Sequence, residues 1–208
     1  MIVQCRIEGM PNCSYLQNRF PMEDYHQDTD DPDASESGPG GSKVKVRDPK
    51  IEARKAGYWT AEGHAYIPSE QILRCVQNAG VNFKYEGRKT MKNIVPSIVM
   101  IAPDKIPLLN HKNKPADTWD EISAMPVRVV QARIVRCRPQ WNNWSADFEL
   151  EILNPDILSF KKLREIVDYA GKFLGIGDYR PRYGRFYVTH WEKVTVKNEL
   201  PKSKAQSA

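Results

Sequence analysis

The residues with the most chemistry in them stand together near the C-terminus, where Leu174 to Phe186 reads Leu-Gly-Ile-Gly-Asp-Tyr-Arg-Pro-Arg-Tyr-Gly-Arg-Phe. Arg180, Arg182 and Arg185 each carry a planar fork of donors that matches a phosphate. Gly175, Gly177 and Gly184 allow a backbone to come close to a ligand. Tyr179 and Tyr183 offer ring faces on which a base can stack. The combination reads as a clamp on a nucleic-acid backbone. The same residues also suit a helix C-cap, a tight turn and plain surface charge. Two further patches are candidates. Arg88 and Lys89, with Lys92, can guide a strand by charge alone. Arg136 and Arg138 stand near Trp141 and Trp144, rings that serve as base platforms or equally as core packing. Arg74 fits a solvated helix face as well as a contact. No helix has the pattern of a major-groove reader, so single strands, RNA or single-stranded DNA, are favoured over duplex.

Catalytic patterns are sparse. Asp28, Asp30, Asp31 and Asp33 could hold Mg²⁺ and assist attack on a phosphodiester, yet a run of exposed carboxylates is more often a solvated linker. There is no Gly-x-Ser-x-Gly and no Walker-type loop, and Gly175-x-Gly177 lacks the preceding strand of a dinucleotide fingerprint. Cysteines at 5, 13, 75 and 137 form no CxxC, and His26, His64, His111 and His190 are scattered. No catalytic residue, metal or other cofactor is therefore expected. A metal-dependent ribonuclease built on the acidic loop is the enzymatic alternative. A structural assembly protein is the third reading. It would polymerise through its sheet, set its basic loop on a neighbour, and place Trp119 and Trp191 at the interface.

Charge is unevenly distributed. The 208 residues carry a net +5, but Phe20 to Ser42 holds seven acidic residues and no Lys or Arg. From Pro126 onward there are 15 basic and nine acidic residues, so the C-terminal half is the one suited to an anion. No apolar run reaches membrane-spanning length and the N-terminus lacks a signal-peptide pattern. The expectation is a reduced, cytoplasmic protein of one domain over residues 1–200, with an insertion at about 23–47 and a flexible tail over 201–208.

The elements that must position the loop follow from periodicity. Ile2 to Ile7 alternates as a strand. Ser14 to Phe20 reads as a short helix or turn, and Glu23 to Ser42 as a mobile insertion. Asp48 and Pro49 start a helix to about Ala56. Tyr58-Trp59 and Ala65 to Ile67 suggest a hairpin. Ser69 is the expected N-cap of a helix with Ile72, Leu73, Val76 and Ala79 as its stripe. Ile94 to Ile101 reads as a buried strand. Val127 to Cys137 and Trp144 to Ile152 both alternate and are joined by a short connection, which suggests an antiparallel pair with acidic residues opposite Arg133. Ser159 caps a helix whose stripe is Leu163, Ile166, Val167, Ala170 and Phe173. Arg185 to Val196 is the last strand. The order fits an α+β fold with a ferredoxin-like, RRM-like βαββαβ core, an inserted flexible acidic loop and a hairpin.

Three patches resemble a known family. They are the first strand running through Gly9 into Ser14 to Phe20, the Gly63 to Arg74 entry through Tyr66-Ile67-Pro68-Ser69 into a helix, and the loop from Gly175-Ile176-Gly177 to Tyr183-Gly184-Arg185-Phe186. Together they resemble the repeat-associated mysterious proteins (the RAMP superfamily), the RRM-like backbone subunits of CRISPR effector complexes. Pro68-Ser69-Glu70 stands where those subunits carry a glycine-serine entry. The chain is also similar to uncharacterised phage proteins with a Gly-Ile-Gly-Asp loop. The resemblance implies a non-enzymatic RNA-binding protein of antiviral defence that multimerises along its ligand, as a homo-oligomer or in a multisubunit complex. The phage similarity implies the assembly protein instead.

Overall fold

Strand β1 (Ile2–Gly9) turns Val3, Cys5 and Ile7 into the core and Gln4, Arg6 and Glu8 outward. This is the alternation a half-buried strand requires. Strand β8 (Ser145–Ile152) does the same, with Ala146, Phe148, Leu150 and Ile152 inward and Asp147, Glu149 and Glu151 outward. The two pair antiparallel, and Arg6 meets Asp147 across the ladder at 3.0 Å. Strand β9 (Phe186–Val194) flanks β1 on the other side and β4 (Val99–Ala102) flanks β8, giving the order β4-β8-β1-β9 with every neighbour antiparallel. A register shift opposite Arg6 and Ile7 lets β9 turn both Val188 and Trp191 toward the core.

Two helices cover one face of this sheet. Helix α2 (Ser69–Ala79) buries Ile72, Cys75, Val76 and Ala79, and α4 (Phe160–Tyr169) buries Leu163, Ile166 and Val167. Each follows the spacing of a single helical stripe. The Ser159 hydroxyl accepts from the Lys162 amide at 3.3 Å and caps α4. A second sheet has the order β2-β7-β6, built from β2 (Tyr15–Leu16), β6 (Glu121–Val129) and β7 (Ala132–Trp141). Helix α1 (Pro49–Ala56), capped by Asp48, lies on β7 through Ala53 and Ala56. A small pair joins β3 (Tyr66–Pro68) to β5 (Lys105–Pro107), and α3 (Val95–Ile98) is a single turn. Tyr15 and Trp141 of the second sheet belong to the same apolar cluster as Val3, Leu150 and Ile166.

The structure, a computed structural model, describes residues 1–19, 48–129 and 132–194. The acidic segment Glu23 to Ser42, the side chain of Arg133 and the tail beyond 194 lie outside the described residues. Among the described residues the fold is mixed α+β with antiparallel sheets, and no helix is long and apolar enough to cross a membrane.

Several expectations change. Val127 to Cys137 is not one strand: it reverses between β6 and β7, whose register runs Val129↔Ala132 to Glu121↔Gln140. Strands β7 and β8 do not pair; a short connection carries the chain from one sheet to the other. Ser14 to Phe20 holds strand β2, because buried Tyr15, Leu16 and Gln17 need ladder partners on β7 and the hairpin before β3. Ile94 to Ile101 begins with the α3 turn and only then extends. Pro68 occupies the N-cap of α2, and Ser69 is its first helical residue. The Tyr58–Ile67 hairpin forms as expected, bridged between Trp59 and Ala65.

Candidate functional site

The glycine-rich loop leaves α4 at the end of the sheet where Gly9 pairs with Phe186. It is pinned throughout. The Ile176 amide donates to the Gly184 carbonyl at 2.9 Å, closing the loop on itself. The Gly184 amide donates to Ser14 O at 2.8 Å, and the Asp178 amide to Leu16 O at 2.9 Å. The buried Cys13 thiol donates to Arg182 O at 3.4 Å and accepts from the Arg185 amide at 3.2 Å. Beneath these bonds lies an aromatic floor, with Tyr15 5.9 Å from Trp141 and 5.2 Å from Trp144 between ring centroids. The loop is therefore held in place by backbone and thiol bonds along both of its limbs.

The glycines serve that closure. Gly175, Gly177 and Gly184 all have positive φ, at 72°, 80° and 75°. A Cβ on Gly184 would overlap the Ile176 carbonyl oxygen, one on Gly177 would overlap Leu16 O, and one on Gly175 would come within 2.9 Å of Gly184. The close approach expected between these residues and a ligand is thus made to the protein's own backbone.

The arginines divide into two groups. Arg180 and Arg182 are exposed, and among the described residues neither has a carboxylate partner. Arg182 lies 5.8 Å from the centre of the Tyr183 ring, and Tyr183 meets Tyr179 edge-on at 6.2 Å. Tyr179 is 45 % exposed. Arg185 is half-buried, with its Nε enclosed, and contributes mainly through its backbone. Arg138 is corrected outright: it is 4 % exposed and ion-paired through its Nε with Asp178 of the loop. Arg136 lies on the same side of β7, 3.6 Å from Glu52 of α1. Both side chains are used to join elements, which removes Arg138 from any surface and leaves Arg136 partly engaged. Trp141 and Trp144 are core residues, 1 % and 3 % exposed. Arg88, Lys89 and Lys92 are exposed, but they lie between α2 and β4, at the end of the sheet opposite the loop.

Trp119 and Trp191, which the assembly reading sets at an interface, are half-buried and pack against Trp59 at 6.0 Å and Phe160 at 5.7 Å. The uncovered face of the four-stranded sheet carries Glu8, Asp147, Glu149, Glu151 and Glu192 against Arg6. Its groove, about 550 Å³ and lined by Gln4, Asp147, Glu149 and His190, repels phosphate. Among the described residues no group of three or more His, Cys, Asp or Glu side chains could hold a metal ion.

Sequence reasoning missed the residues that hold the loop, namely Cys13, Ser14, Leu16 and Cys75. The Cys75 thiol of α2 donates to Gly175 O at 3.1 Å. Burial pushes this thiol from the usual 9.0 up to about 12, with the nearby charge of Arg180 pulling the other way. An acid held protonated by folding contributes stability below its unfolded pKa and loses it as pH rises through the folded one. Stability is thus expected to fall between pH 9 and about 12. Cys75 should also resist iodoacetamide in the native protein at neutral pH and react once the chain is unfolded; mass mapping of the alkylated peptides checks this. The chain matches no protein-family model and no curated protein.

Proposed function

We propose that this chain is a binding module for single-stranded nucleic acid, with RNA as its ligand, and that the contact surface is the outer side of the loop around Tyr179, Arg180, Arg182 and Tyr183. One observation carries the reading. Two guanidinium groups stand exposed, with no carboxylate partner among the described residues, beside two tyrosine rings on a loop whose backbone is bonded at both limbs. Arginine forks position phosphates, and ring faces accept bases of any sequence. A loop already ordered before binding does not have to lose conformational freedom when the ligand arrives.

The scaffold supports the same reading. The order β4-β8-β1-β9, with α2 following β1 and α4 following β8, is what a ferredoxin-like βαββαβ unit requires. In that description β2, α1 and β3 are inserted in the first crossover, and β5, β6 and β7 between the second and third strands. The acidic open face directs the ligand to the loop end of the sheet.

The test is a salt titration with fluorescent oligouridylate. Removing both charges (Arg180→Ala, Arg182→Ala) is expected to weaken binding about 10- to 100-fold and to make the slope of log K against log salt shallower by about 1.4. Circular dichroism should be unchanged, because neither side chain is packed. Unchanged affinity and slope would sink the reading, and preference for the matching oligodeoxythymidylate would reassign the ligand to DNA.

A further inference from the structure

The stripe of α4 runs Leu163, Ile166, Val167 and Ala170, and its spacing continues inward to Phe173. The structure departs from that series. Over Ala170–Leu174 the chain widens into a π-helical turn, with the Gly175 amide donating to Ala170 O at 2.9 Å. Phe173 is left 55 % exposed. Its ring lies tilted at 44° against Tyr169, 4.7 Å between centroids, and Tyr169 meets Phe83 edge-on at 5.8 Å and 89°. Three rings thus stand in a row with the outermost open to solvent. Wide turns of this kind recur at functional sites.

Phe83 leads into a hairpin bridged between Lys84 and Thr90, with Arg88 and Lys89 exposed at its tip. Lys162 of α4 donates to Lys84 O at 2.9 Å and holds the hairpin beside the helix. From Lys84 to Lys92 a lone carboxylate, Glu86, is set against Lys84, Arg88, Lys89 and Lys92. An open ring at the end of an aromatic row, flanked by a local excess of cations, brings together the two components of a single-strand platform. The other end of the turn joins the candidate loop directly at Gly175.

We propose that the Phe83–Tyr169–Phe173 row is a second contact for the same strand, which runs from the loop along α4 to Arg88 and Lys89. This rests on the loop's being a strand-binding surface. The two are separable by ligand length. An oligouridylate of roughly four nucleotides engages the loop alone, and one of roughly 12 spans both contacts. Phe173→Ala and the Arg88→Ala, Lys89→Ala pair are each expected to cost about tenfold in affinity for the long oligomer and nothing for the short one. Phe173→Leu, which keeps apolar area without a ring, should lose as much as Phe173→Ala. The proposal is overturned if all three variants bind the long oligomer like wild type while the Arg180, Arg182 variant still loses affinity for the short one. Full retention by Phe173→Leu, or a concentration-dependent dimer in sedimentation that Phe173→Ala abolishes, overturns it too. Failure of the loop itself reads differently: the Arg180, Arg182 variant then binds the short oligomer undiminished.

Discussion

Gly184→Ala is expected to lower the unfolding free energy by about 3 kcal/mol, and the melting temperature by about 10 °C, while a similar change at Gly87 costs about 1 kcal/mol. Both glycines have positive φ, 75° and 54°, so both substitutions carry the backbone penalty of a left-handed residue. Their surroundings differ. Nothing lies within 4 Å of a Cβ built on Gly87, whereas on Gly184 it would overlap Ile176 O and sit 2.8 Å from Ile176 C. Ile176 is fully buried, and its amide is bonded to Gly184 O at 2.9 Å. The loop cannot open to admit the methyl without pulling Ile176 from the core or breaking its own closure. Urea denaturation of the two variants isolates the steric part by difference. Equal costs at the two sites would show that Gly184 is needed only for its backbone angle.

That contrast marks how far the sequence is informative about this site. The glycines could be read as positions of unusual backbone, because that property belongs to the residue. What they approach could not, because Ser14, Leu16 and Cys13 are more than 150 residues away along the chain. Strands β1 and β8 were legible because one-sided burial imposes a period of two. The same period hid the reversal between β6 and β7: the two strands pair from Val129↔Ala132 to Glu121↔Gln140, and the sequence alternation runs on from one strand into the next unbroken. A helical stripe predicts Phe173 inside, and the π-helical turn that carries it outward has no compositional signature. Arg138 reads as a surface contact in the sequence because charge near tryptophan suits nucleic acid. Its actual partner, Asp178, is itself a loop residue whose side chain gives no local sign of a strand 40 positions back.

The Arg138–Asp178 pair leads to the other large effect. Asp178→Ala is expected to destabilise the chain by about 3–5 kcal/mol, and Arg138→Met by less. The asymmetry comes from hydration. The Arg138 side chain is 5 % exposed and that of Asp178 30 %. Losing Asp178 strands a guanidinium that water cannot reach, with its Nη1 already enclosed and unbonded. Losing Arg138 leaves a carboxylate that water partly solvates. Replacing both by apolar residues (Arg138→Met, Asp178→Leu) should recover most of the loss, because no charge then remains to be desolvated. Urea midpoints for the three variants supply the ordering. Nucleic-acid binding separates a positioning role from a contact. If Arg138 only braces the loop, Arg138→Met weakens binding while the salt slope stays at its wild-type value, since no phosphate contact has been removed. A slope shallower by about 0.7 would instead place Arg138 on the ligand, and the buried pair would then have to open on binding.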